Sequence, residues 1–145
     1  MTSRGQRSRG AVERVRAGVY ERDGHTCVVQ GSLAWRRWPC SGILTVQHAV
    51  GKGMGGSELF DSPEYLRTMC WHHNTFATMS AEFARACLIY GWALERNRQD
   101  IDPSSVPVRY PDGHDYLLHP DLTREPVSRS WAQDRRIELY GSPTP

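Results

Sequence analysis

The chain has 145 residues, a formal net charge of +2, 39% hydrophobic and 23% charged residues, and a mildly basic pI near 8.4. That is enough for one compact domain with tails but not for two independent cores. The composition argues against disorder throughout, and no run approaches the roughly 18 apolar residues of a membrane span. The start is Arg-rich without an apolar stretch behind it, so a soluble protein of a reducing, cytoplasmic compartment is expected. There its four cysteines are metal ligands or free thiols rather than disulfides.

Residues 1–10 read as a basic, flexible arm, and Arg4, Arg7, Arg9, Arg14, Arg16 and Arg22 crowd the front of the chain. Arginine's planar fork grips phosphate in a bidentate way, a composition suited to nucleic acid. Beyond the arm, two segments are expected: a metal-binding domain over 11–100 and a hairpin with a polar extension over 101–145. Val12, Val15 and Val19 recur at helical spacing before Asp23-Gly24, which predicts a helix over 11–22. The stretch between Cys27 and Cys40 carries Gly31, Trp35, Arg36, Arg37, Trp38 and Pro39 and reads as a loop whose aromatics pack over a metal. Ile43 to Val46 form a β-prone run that delivers His48 into a loop with Gly51, Gly53, Gly55 and Gly56. That loop is no P-loop, because no helix opens behind its glycines.

Zinc takes soft or borderline ligands at tetrahedral corners, and donors two residues apart supply adjacent corners. Cys70-Trp71-His72-His73 has that spacing, and Cys27 and Cys40 complete a set of four if the ion offsets the cost of folding their loop back. His73 keeps the spacing; His72 is its rival. A helix is expected from about Thr75 to Glu95, with Phe83, Ala86, Cys87, Tyr90, Trp92 and Ala93 on its apolar face. Cys87 there reads as a small buried hydrophobe. Val108 to Leu118 reads as strand, Pro-Asp-Gly turn, strand. The tail from Asp121 is polar, with Trp131, Ile137, Leu139 and Tyr140 as its anchors, and partial order is expected.

Taken in order, Glu21-Arg22-Asp23-Gly24, Cys27, Cys40-Ser41-Gly42, Val46-Gln47-His48, Gly55-Gly56, Tyr65-Leu66 and Cys70-Trp71-His72-His73-Asn74 resemble the HNH endonucleases, particularly the small versions encoded by phages. The resemblance covers Arg14 to about Asn74. It implies an α+β chain: a small zinc-stabilised ββα-metal domain with flanking helices and a C-terminal β-hairpin. It implies cleavage of DNA phosphodiester bonds with His48 as general base and a catalytic divalent ion (Mg²⁺, Mn²⁺ or Ni²⁺) beside the structural Zn²⁺. At the family's other active-site positions stand Gln47 and Asn74, as ligands of that ion, and Tyr65, where an orienting asparagine is usual; Asn74 and Tyr65 would join His48 in catalysis. Arg14, Arg22, Arg36, Arg37 and Lys52 are the expected DNA contacts. Because Gln47, Tyr65 and Asn74 depart from the family pattern, the competing expectation is an inactive zinc module that binds DNA or a host protein.

Overall fold

The computed structural model describes residues 9–32, 36–50, 61–95, 97–98 and 100–141. Residues 1–8 of the expected arm over 1–10, Trp35, Lys52 and the glycines at 51, 53, 55 and 56 lie outside them, while Arg9 and Gly10 of that arm are helical. The described chain is an α+β fold of four α-helices and two small antiparallel sheets. Among its residues no helix is long and apolar enough to cross a membrane.

Helix α1 (Arg9–Arg22) begins two residues ahead of the expected start and buries Val19. It stops where Gly24 and His25 take positive φ. Strand β1 (Leu44–His48) pairs antiparallel with β2 (Leu66–Cys70), Leu44 opposite Cys70 and His48 opposite Leu66. All five β2 residues are buried, since α1 and the following helix pack against this hairpin. Cys70 ends β2 and caps α2 (Trp71–Met79), its Sγ accepting from the His73 backbone N–H. One residue thus turns strand into helix and carries a donor atom.

The single helix expected over 75–95 is two helices. Ser80 is extended, closing α2 and capping α3 (Ala81–Ile89) by accepting from the Phe83 N–H. A serine does this because its hydroxyl competes for backbone donors. Helix α3 buries Phe83, Ala86, Cys87 and Ile89. It ends before Gly91, whose φ is +77° and where a Cβ would stand 2.2 Å from the Pro107 carbonyl oxygen; only glycine fits there. Trp92 is fully buried beyond the helix.

The expected hairpin forms as β3 (Val108–Arg109) and β4 (Asp115–Leu118), Val108 opposite Tyr116. The tail is better ordered than its polarity suggests. It adds a third strand, β5 (Arg124–Val127), on β4 and a helix, α4 (Arg129–Tyr140), capped by Ser128 and closed by left-handed Gly141. Of the expected anchors, Trp131 and Ile137 are 42% and 48% exposed and so do not anchor, Leu139 and Tyr140 are half-buried, and Ala132 and Arg136 are buried. Arg136 donates to the Ile89 carbonyl at 2.9 Å and to Asp115 Oδ1 at 2.6 Å, so a charged residue does the anchoring.

Polar joints tie the C-terminal sheet to the rest, the Arg109 N–H donating to the Tyr90 carbonyl among them. Trp92 Nε1 donates to the Arg109 carbonyl. Asp23, fully buried, takes Arg22 at 2.8 and 3.1 Å, the Tyr110 hydroxyl at 2.5 Å and the Thr68 N–H at 2.8 Å. One core, including Cys27, Met69, Phe83, Trp92, Val108, Tyr110 and Leu118, runs through both parts.

Candidate metal centre and the His48 cleft

Cys27, Cys40, Cys70 and His73 converge, their donor atoms all within 4.8 Å of one another. The His73 Nδ1 lies 3.5, 3.6 and 3.2 Å from the sulfurs of Cys27, Cys40 and Cys70. A tetrahedral ion with about 2.3 Å bonds to sulfur and about 2.0–2.1 Å to nitrogen separates N from S by about 3.6 Å, so the cluster has the right size to hold one. Three local devices build it. The β2–α2 junction presents Cys70 and His73 from one turn. The Val28 N–H donates to the Thr68 carbonyl and fixes Cys27 beside β2. Left-handed Gly42 lets the chain leave Cys40 toward β1.

His73 is fully buried, and its Nε2 contacts the Trp38 carbonyl. Donation from Nε2 fixes the tautomer that leaves Nδ1 free as a ligand. His72 is turned away, stacked on Phe76 with ring centroids 5.5 Å apart; the rivalry resolves to His73. Burial lowers the His73 pKa, keeping the ring neutral. Burial pushes the Cys27 thiol up to about 11, and burial together with Cys27 and Cys70 pushes Cys40 up further. The Cys27 and Cys40 thiols resist ionising unless a cation compensates them, as a bound metal does. Cys87 is fully buried outside this set, its thiol pushed up to about 12 by burial, consistent with packing.

Strand alternation divides the second candidate site. Successive β-residues point to opposite faces, so His48 and Val46 look one way and Gln47 and Thr45 the other. On the first face His48 Nε2 is 2.8 Å from Asp61 Oδ1, with 29% and 23% of the two side chains exposed. They line a cleft of about 140 Å³ with Val12, Val15 and Arg16 of α1, Val46 and Leu66. On the opposite face Gln47 is only 6% exposed and donates to the Trp92 carbonyl. Asn74 donates to Thr45 Oγ1 at 2.9 Å, on that same far face. Tyr65 lines a different cavity with Val50, Leu94, Ile101 and Tyr140. His48, Gln47, Tyr65 and Asn74 are therefore not gathered into one constellation. Gln47 and Asn74 are uncharged, donate their amide N–H groups to Trp92 and Thr45 and lie on the wrong side of β1, so they do not fit an ion shared with His48. Asp61, which periodicity does not mark, is the partner His48 has.

Compared with known proteins, the chain has no significant match to any family model, curated protein or solved structure.

The arginines also separate. Arg22 is buried in its pairing with Asp23 and donates to the Pro63 and Leu66 carbonyls, so its guanidinium is withdrawn from any phosphate; a front-of-chain arginine proves to be a core residue. Arg14, Arg36 and Arg37 are exposed. Arg37 lies over the Trp38 ring at 4.8 Å and pairs with Glu82.

Proposed function

We propose that this chain is an HNH-type endonuclease that hydrolyses phosphodiester bonds in DNA, on a fold held together by structural zinc at Cys27, Cys40, Cys70 and His73. The observation that carries the reading is His48 at the end of β1, in a solvent-open cleft with its Nε2 on Asp61. With Nε2–H donated to Asp61, Nδ1 is the nitrogen left to accept a proton from an attacking water, and the carboxylate stabilises the imidazolium that results. The hairpin followed directly by a helix at Cys70 has the strand–strand–helix order of ββα-metal nucleases, which supports the reading. Exposed Arg14, Arg36 and Arg37 suit steering of a polyanion. No step is derived through an ion on Gln47 and Asn74.

The test is nicking of supercoiled plasmid by zinc-loaded protein, alone and with Mg²⁺, Mn²⁺ or Ni²⁺, beside His48→Ala. Cleavage that disappears in His48→Ala while zinc content and melting temperature are kept is the expected result. No product under any condition from folded, zinc-loaded protein refutes it.

One observation favours a second reading. Gln47 and Asn74, the positions where the resemblance implies metal ligands, lie on the face of β1 away from His48 and donate to Trp92 and Thr45, as in a module that binds nucleic acid without cutting it. Such a module gives salt-dependent DNA binding, log K falling with log salt, and no product.

A further inference from the structure

Phosphoryl transfer needs positive charge where the phosphorane develops, whether from a metal ion or from arginine. Among the described residues lining the His48 cleft, Arg16 is the permanently charged cation. Its position follows from helical spacing: Val12, Val15 and Arg16 share the face of α1 turned to the β1–β2 hairpin, and Val19 continues that face into the core. The two valines pack beside Val46 and Leu66 and bring Arg16 to the cleft that holds His48 and Asp61. Arg9, on the same helix, pairs with Glu13; among the described residues no ion pair or hydrogen bond engages Arg16. The cleft's volume, about 140 Å³, far exceeds the roughly 10–15 Å³ that one water requires.

We infer that Arg16 supplies the charge opposite the scissile phosphate, in place of a divalent ion held by Gln47 and Asn74; the inference rests on the nuclease reading. The guanidinium presents two parallel N–H donors to the non-bridging oxygens. The water oxygen forms its bond to phosphorus as the water proton passes to His48 Nδ1. The bond from phosphorus to the leaving oxygen breaks with its electron pair, and that oxygen takes a proton from solvent. His48 then returns its proton to solvent, so one water is consumed and no further reactant is needed.

The experiment uses full-length, zinc-loaded protein in buffer freed of divalent ions by chelating resin, then titrated with Mg²⁺. It compares wild type, Arg16→Ala and Arg16→Lys for plasmid nicking at saturating DNA, with Arg85→Ala as an exposed-arginine control. DNA affinity is read by fluorescence anisotropy on His48→Ala with and without Arg16→Ala. The expected result is nicking without added Mg²⁺, a kcat about 100- to 1,000-fold lower in Arg16→Ala, a typical loss for one transition-state donor, and a dissociation constant changed only a few-fold. Arg16→Lys recovers part of the rate, and Arg85→Ala cuts like wild type. If wild type nicks only with added Mg²⁺, or Arg16→Ala keeps the wild-type kcat, the inference falls and the nuclease reading stands. A wild type that never nicks removes both.

Discussion

Removing the metal, by chelation or by Cys70→Ser, is expected to unfold the chain. Closing the Cys27–Cys40 and Cys40–Cys70 loops costs about 2.3 and about 3.0 kcal/mol, from (3/2)RT ln n with n of about 13 and about 30. An apparent binding free energy of about 10–16 kcal/mol for structural zinc covers that cost with a margin. Without the ion, about 5 kcal/mol of closure is uncompensated in a domain whose whole stability is of order 5–15 kcal/mol. Cys70→Ser is a clean probe because serine caps a helix well; loss of stability in it reports the metal rather than the α2 cap. Cys40→Ser should be milder, since Cys40 is only half-buried and a water can take its corner. The assay is metal content beside thermal melting followed by far-UV circular dichroism, with and without a zinc chelator. Metal-free protein that melts cooperatively within a few degrees of the loaded form would refute the reasoning.

Asp23→Ala leaves Arg22 buried without its carboxylate and the Tyr110 hydroxyl without its acceptor; a loss of about 3–5 kcal/mol is expected in urea unfolding. Gly91→Ala forces a Cβ against the Pro107 carbonyl at positive φ and should cost more than the roughly 1 kcal/mol of an ordinary helix-end substitution, read as a lower melting temperature. Burial alone would raise the Asp115 pKa, but hydrogen bonds from Arg136 and Arg109 outweigh it and hold the carboxyl below its usual range. A depressed carboxylate contributes stability that is fully present above its unfolded pKa of about 3.9 and is lost as pH falls through the lower folded value. The denaturant midpoint of wild type should therefore drop in that acid window, and Asp115→Asn should flatten the drop.

The parts of the molecule that were legible are those whose signal is local. Val12, Val15 and Val19 announce α1, the Ile43–Val46 run announces β1, and the Cys70–His73 spacing announces the knuckle. What was illegible depends on charges placed where patterns put water. Arg22, Arg67, Arg136, Asp23 and Asp115 are all buried, so a reading that assigns charge to the surface mistakes Arg22 for a phosphate contact and leaves the α4 segment only partly ordered. Ser80 breaks a helix through one side-chain hydrogen bond, which the surrounding apolar periodicity conceals. The His48 site was half legible: the histidine lies where the strand delivers it, but a contact with Asp61 across thirteen residues leaves no mark in the chain.

The Asp23–Tyr110 hydrogen bond joins residues 87 positions apart, and this separation orders events during synthesis. The Cys27, Cys40, Cys70 and His73 cluster, complete once His73 has emerged, can close while Tyr110 is still being added. Until then the Asp23–Arg22 pair has the Thr68 N–H and the Pro63 and Leu66 carbonyls but lacks the Tyr110 hydroxyl that covers it. The late sheet therefore acts as a latch on a region already assembled. A truncated chain ending near residue 100, released from the ribosome, should hold metal yet remain open to protease around Asp23, whereas the finished chain closes there.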